Sequence, residues 1–130
     1  LGSLKGRTIG VLGLSFKPNT DDTRDAPALD IIRMLLERGA SVQAFDPQAM
    51  EASKREIPEL NLRQTPYAVA EGADALILAT EWNEFKSLDF ERIQQNMRGN
   101  VIMDGRNIWD GQDLANMGFT YFGVGVPNPK

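Results

Sequence analysis

The sequence predicts a doubly wound α/β fold: a mostly parallel sheet of five to six strands with helices on both faces. Three observations carry that expectation. Short, almost wholly apolar runs recur at residues 8–14, 73–80 and 101–103, the pattern of strands buried on both sides of a parallel sheet. Between them lie segments whose apolar residues fall three and four apart, the pattern of one-sided helices. The 130 residues, 42% apolar and 25% charged, also suit one packed domain. Parallel neighbours need crossovers, and a uniform right-handed crossover places helices on both sides of the sheet.

Taken in order, Leu1, Gly2 and Ser3 read as a lead-in. The folded unit is expected over residues 5–126, with 1–4 disordered before it and 127–130 frayed after it. The run Thr-Ile-Gly-Val-Leu-Gly-Leu at 8–14 is the first strand. Residues 15–25 hold Pro18, Asn19, Thr20, Asp21, Asp22 and Asp25, turn formers and capping side chains that make a long loop. A helix follows, capped by Asp25, with Pro27 in its first turn and Gly39 as its stop. Leu29, Ile32, Leu35 and Leu36 give it one apolar side. Residues 41–46 form a second strand that ends in Asp46-Pro47, where a polar helix with Met50, Lys54 and Arg55 opens. A short strand is expected near Leu62, then a small helix from Pro66 and Tyr67 to about Gly72. The strand at 73–80 comes next. Glu81, Trp82, Asn83 and Glu84 make its exit, and residues 89–97 a helix with Phe90, Ile93 and Met97 on one side, ended by Gly99. Residues 101–103 are a fifth strand, 114–117 one helical turn closed by Gly118, and 119–122 a sixth strand. The whole is Rossmann-like.

Composition removes several chemistries. There is no cysteine and no histidine, which excludes disulfide scaffolds, thiolate metal sites, thiol nucleophiles and the commonest general base. The formal charge of −4, from 14 Lys+Arg against 18 Asp+Glu, argues against a nucleic-acid partner, which calls for a basic face. No apolar run approaches the roughly 20 residues of a membrane helix, so a cytoplasmic protein without a membrane partner is expected.

In a doubly wound sheet, ligands bind beyond the carboxyl ends of the strands, near the point where strand order reverses. That rule selects the loop after the first strand, Thr80-Glu81-Trp82 after the fourth, and Asp104-Gly105-Arg106-Asn107 after the fifth. Lys17, Arg24 and Arg106 can converge there, and convergent cations suit a phosphate or pyrophosphate. The alternative for Lys17 and Arg24 is ion pairing with Asp21, Asp22 or Asp25. Gly10 and Gly13 do not complete the dinucleotide fingerprint, because Leu14, Ser15 and Phe16 follow and about ten residues precede the helix; close packing is their expected role. Asp46 is either a ribose-binding acid or, the favoured reading, a cap. Trp82 and Phe85 are expected in the core rather than stacked on a base. Asp104 is expected to order its loop or to pair with Arg106. For Asp21 and Asp22, capping outweighs magnesium ligation.

The run Gly13-Leu14-Ser15-Phe16-Lys17-Pro18-Asn19-Thr20-Asp21-Asp22-Thr23-Arg24-Asp25-Ala26-Pro27-Ala28 resembles the opening of the carboxy-terminal, nucleotide-sugar-binding domain of UDP-glucose 6-dehydrogenases and their GDP-mannose and UDP-N-acetylhexosamine relatives. Phe45-Asp46-Pro47, Ala79-Thr80-Glu81-Trp82-Asn83-Glu84-Phe85 and Met103-Asp104-Gly105-Arg106-Asn107 follow in the same order. The likeness therefore spans nearly the whole chain, and its Thr-Glu-Trp and Asp-Gly-Arg-Asn segments look most like the UDP-glucose branch. The resemblance implies that Phe16, Lys17 and Arg106 contact the nucleotide sugar and that Arg24 approaches NAD across a domain cleft. It also implies an intact enzyme that oxidises UDP-glucose to UDP-glucuronate with two NAD, using a catalytic cysteine, an amino-terminal NAD-binding domain and a helical middle segment that builds a dimer or larger assembly. With no cysteine, this chain is expected to be inactive alone. Gly125-Val126-Pro127 departs from the Gly-Arg-Pro of many relatives. Two other readings stay open: the same domain of a GDP-mannose or UDP-N-acetylhexosamine dehydrogenase, and a receiver-like phosphoacceptor domain.

Overall fold

The computed structural model describes residues 4–15 and 26–123. Outside the described residues lie the lead-in 1–3, Phe16, Lys17, Asp21, Asp22, Arg24, Asp25, the Gly125-Val126-Pro127 departure and the tail 127–130. The elements are β1 (Thr8–Leu12), α1 (Pro27–Glu37), β2 (Ser41–Phe45), α2 (Met50–Glu56), β3 (Asn61–Leu62), α3 (Pro66–Ala70), β4 (Ala75–Leu78), a 3-10 turn (Asn83–Phe85), α4 (Phe90–Asn96), β5 (Val101–Asp104), α5 (Gly111–Asn116) and β6 (Thr120–Gly123). The six strands form one sheet in the order β3-β2-β1-β4-β5-β6, and every described pairing is parallel. The expected Rossmann-like sheet is therefore present at its upper strand count. The order also removes the receiver reading, since receiver domains use the flavodoxin-like order in which the second strand lies at the edge.

Boundaries move for local reasons. β1 stops at Leu12, two residues early, because Gly13 takes φ +95° and turns the chain out of the sheet. The residue at the amino end of α1 is Ala26, with no side-chain cap, so the helix begins at Pro27 rather than at a cap on Asp25. α5 is longer than the expected turn, because the Asp110 carboxylate accepts hydrogen bonds from the Gln112 and Asp113 amides and starts the helix three residues earlier. β4 spans only four residues. Just before it, Ala73 O accepts from Arg98 and Gly99 N–H, and Asp74 takes the Thr8 N–H and the Arg98 guanidinium.

The strand period of two splits the sheet between two cores. On one face Ile9, Val11, Val42, Ala44 and Ala75 pack with Leu29, Ile32 and Leu35 of α1. On the other, Leu12, Leu76, Leu78, Ile102 and Tyr121 pack with Val69 of α3, Ile93 of α4 and Leu114 of α5. Because β1→β2→β3 runs one way along the sheet and β3→β4→β5→β6 the other, right-handed crossovers put α1 and α2 on the first face and α3, α4 and α5 on the second. Among the described residues no helix covers the first face over β5 and β6, whereas Ala75 of β4 is buried there. Met103 and Phe122, directly paired in register, stand there 46% and 40% exposed. Beside them a groove of about 620 Å³ runs under α1 past Leu4, Met34 and Ile77 to Arg106.

Candidate anion-binding rim

Strand order reverses between β1 and β4, and the carboxyl ends of β1, β4 and β5 lie side by side there. Register alone brings the third loop to the second: Leu78 pairs with Asp104, so Glu81 and Arg106 leave adjacent strands three and two residues later.

The root of the first loop is held by close packing and by one carboxylate. The Gly13 N–H donates to Phe45 O at 2.9 Å, and a Cβ on Gly13 would stand 2.5 Å from Thr80 Cβ. Only glycine permits that approach at φ +95°. The Thr80 hydroxyl donates to Ser15 O at 2.8 Å, joining the two loop roots. Asp46, fully buried, does the rest. Its Oδ2 accepts from Leu14 N–H (2.7 Å), Ser15 N–H (3.2 Å), Ser15 Oγ–H (3.3 Å) and the Trp82 indole N–H (3.1 Å). Its Oδ1 accepts from Gln48 and Ala49 N–H at 2.8 and 2.7 Å. With both oxygens occupied, Asp46 has no lone pair to offer a ribose; it is not the favoured helix cap either, since α2 starts from Ala49 without a side-chain cap, and instead it closes the turn over Gln48 and Ala49 and ties three strand exits together.

Asp104 plays the equivalent part at the end of β5. It is buried and accepts from Arg106 N–H (3.1 Å), Trp109 N–H (2.8 Å) and the Tyr121 hydroxyl (2.9 Å). Burial, reinforced by this carboxylate, pushes the Tyr121 phenol well above its usual range, so it stays a donor. Asp104 thus orders the loop as expected, but it takes the Arg106 backbone and not the guanidinium. Gly105 donates to Leu78 O at 3.0 Å, where a Cβ would meet that oxygen at 2.7 Å. Asn107 turns through φ 58°, a conformation Asn tolerates better than most residues.

These turns leave Arg106 on the rim with its side chain 44% exposed. Its Nε–H and an Nη2–H reach the two carboxylate oxygens of Glu81, the latter at 3.2 Å. Glu81 is the partner that sequence reasoning missed. Strand register could have found it, since two loops leaving adjacent parallel strands at nearly equal offset must meet. Trp82 and Phe85 are core residues, as expected: the Trp82 indole points inward to Asp46, and Phe85, fully buried, stands edge-on to Phe45.

The described residues do not fit a dinucleotide cradle. Gly13 opens a loop rather than a helix, and the strand-end acid Asp46 is saturated. No group of three or more acidic side chains among them could hold a metal. What the described part of the rim offers is a partly exposed guanidinium at the carboxyl end of β5, one strand beyond the reversal between β1 and β4, a group suited to an anion.

Comparison with known proteins bears on that anion. A family model described as the UDP-glucose/GDP-mannose dehydrogenase family, UDP binding domain, matches residues 10–111. A UDP-glucose 6-dehydrogenase of Rhizobium meliloti is 44% identical over 127 residues, covering 98% of this chain and 29% of that protein. The structure of a UDP-glucose dehydrogenase from Pyrobaculum islandicum superposes with a TM-score of 0.80 at 38% identity, over 97% of this chain and 27% of that one. A UDP-D-ManNAc dehydrogenase from Pyrococcus horikoshii gives 0.75 at 34%, over 96% and 27%. The chain thus spans under a third of the length of these relatives.

Proposed function

The chain belongs to the UDP-glucose/GDP-mannose dehydrogenase family, as its UDP binding domain, and from that premise we propose that residues 5–126 form the substrate-gripping part of a UDP-glucose 6-dehydrogenase. The observation that carries the reading is the partly exposed Arg106 side chain at the carboxyl end of β5, one strand from the switch point of the sheet. In an otherwise acidic chain it meets the diphosphate of UDP-glucose or UDP-glucuronate, with Lys17 as a second cation and Phe16 against the nucleotide. Arg24, from the same segment, faces NAD across a cleft. NAD itself is held by another part of the intact polypeptide and accepts hydride there when bound.

This chain's own share is binding: fixing the uridine diphosphate so that the sugar projects away from the rim. Having no cysteine, it oxidises nothing alone. Its further partners are the amino-terminal and central parts of the same polypeptide, in a cytoplasmic dimer or larger assembly. The apolar face where Met103 and Phe122 stand exposed is where they pack, because the relatives carry more than twice as much chain outside the matched region as within it. Identity is higher to the UDP-glucose enzymes than to the ManNAc enzyme, which favours UDP-glucose over a sibling sugar.

The test is a titration of the chain with UDP followed by amide resonances. Shifts are expected at the exits of β1, β4 and β5, and Arg106→Ala or Lys17→Ala should each weaken binding by about 1.5 to 3 kcal/mol, the scale of hydrogen bonds to charged groups. Arg106, being partly exposed, belongs at the lower end. Unchanged affinity in both variants removes the assignment.

A further inference from the structure

Arg106 stands on a turn at the protein surface, and a long side chain there loses rotamer freedom when a ligand immobilises it. In this structure that ordering is already done. Glu81, whose side chain is 27% exposed, takes the Nε edge of the guanidinium with both of its oxygens. The side-on pair leaves the Nη1 hydrogens, and one on Nη2, pointing away from Glu81.

We infer that Glu81 is a positioning residue for the anion: it fixes the plane of the Arg106 guanidinium so that the opposite edge is presented, already ordered, to a diphosphate. This rests on the reading of Arg106 as the anion contact. A carboxylate in that place opposes an anionic ligand by its charge, so it aids binding only if orientation outweighs repulsion. The two effects predict opposite signs. If Glu81 acted through charge alone, removing it would tighten UDP binding; acting through orientation, its removal weakens it.

UDP titrations of the chain, of Glu81→Ala, Glu81→Gln and Arg106→Ala, and of the double variant with Ala at both positions decide between them. Glu81→Ala should weaken UDP about fivefold, the scale of coupling within one ion-pair network. Glu81→Gln, whose amide oxygen still accepts one bond, should lose less. In the Arg106→Ala background the sign should reverse, because nothing remains to be oriented and only a repelling charge is removed. Equal or tighter binding by Glu81→Ala with Arg106 present overturns the inference, as does the same loss in both backgrounds, which marks a general structural effect. If Arg106→Ala alone leaves UDP affinity unchanged, the anion-site reading itself falls, an outcome distinct from failure of Glu81 alone.

Discussion

Replacing Asp46 tests whether the rim is held together by one buried carboxylate. In Asp46→Ala, Leu14, Ser15, Gln48 and Ala49 lose their backbone acceptor and Trp82 its indole partner. Leaving a buried donor unsatisfied costs about 1–3 kcal/mol each, and hydrogen bonds to an ionised acceptor sit at the upper end. These donors, six with the Ser15 hydroxyl, do not simply add, because the removed carboxylate leaves room for water that re-pairs some of them. The fully buried Leu14 and Ala49 positions are the hardest to rehydrate, and those two with the indole bring the expected loss to about 4 kcal/mol. Asp46→Asn keeps one oxygen for two of the donors but turns an NH₂ toward others, and should lose about 2 kcal/mol. Urea unfolding followed by tryptophan fluorescence reads both: with a slope of about 2 kcal/mol per molar, the midpoints should fall by roughly 2 M and 1 M. The loss also has a functional half, since Asp46 anchors the root of the segment bearing Lys17. Asp46→Asn, if still folded, should bind UDP more weakly although position 46 touches no ligand. A loss under about 1 kcal/mol for Asp46→Ala would refute the claim that this carboxylate satisfies the crossing of the three exits.

Two further outcomes concern the opposite end and the open face of the sheet. The Arg98 guanidinium, aided by the Thr8 amide and Arg7, holds Asp74 down from the ordinary 3.8 to about 2 against the contrary pull of burial. A depressed folded-state value means stability fully present above about pH 4 and lost as pH falls through about 2. The stability gap between the wild type and Asp74→Asn should therefore narrow over that window, as measured by unfolding at successive pH values; a constant gap would contradict the linkage. On the face over β5 and β6, Phe122→Lys should leave the isolated chain's stability within about 1 kcal/mol, because exposed positions tolerate substitution. The same change in a longer polypeptide carrying the preceding domains should impair assembly, read by sedimentation. Intact assembly there, with a destabilised isolated chain, would reverse the assignment of that face.

The fold was legible because parallel strands buried on both sides have few ways to be written: residues 9–12 and 75–78 carry no polar side chain. Glycines such as Gly39 and Gly118 marked helix ends, while the capping acids expected at Asp25 and Asp46 are not the N-caps of α1 and α2, which are Ala26 and Ala49. What resisted reading came from tertiary demands. Gly13 looks like part of a strand until Thr80 is known to press on it. Asp110 looks like one acid among many until its carboxylate is seen to start α5. At the site, Arg106 was visible as a cation at a strand exit, but its partner was not, since the nearer Asp104 competes for it on paper. In the structure Asp104 is committed to Trp109 and Tyr121 behind the turn, which leaves the guanidinium to Glu81.

That division of labour is how an acidic domain can offer the anion site proposed above. Asp46 and Asp104 each end a strand on the rim, and both are buried with their oxygens engaged by N–H and O–H dipoles. Their charge is compensated inside the protein, and their work is to set the paths of the loops rather than to meet a ligand. Glu81, an acid of the loop after β4, is paired with Arg106 through both carboxylate oxygens. Among the described residues, the Arg106 guanidinium keeps an outward edge while Asp46 and Asp104 are turned inward and Glu81 lies along its side. Positive potential at such a site arises from which groups are left facing outward and not from net charge, so a formal charge of −4 and affinity for a diphosphate are compatible.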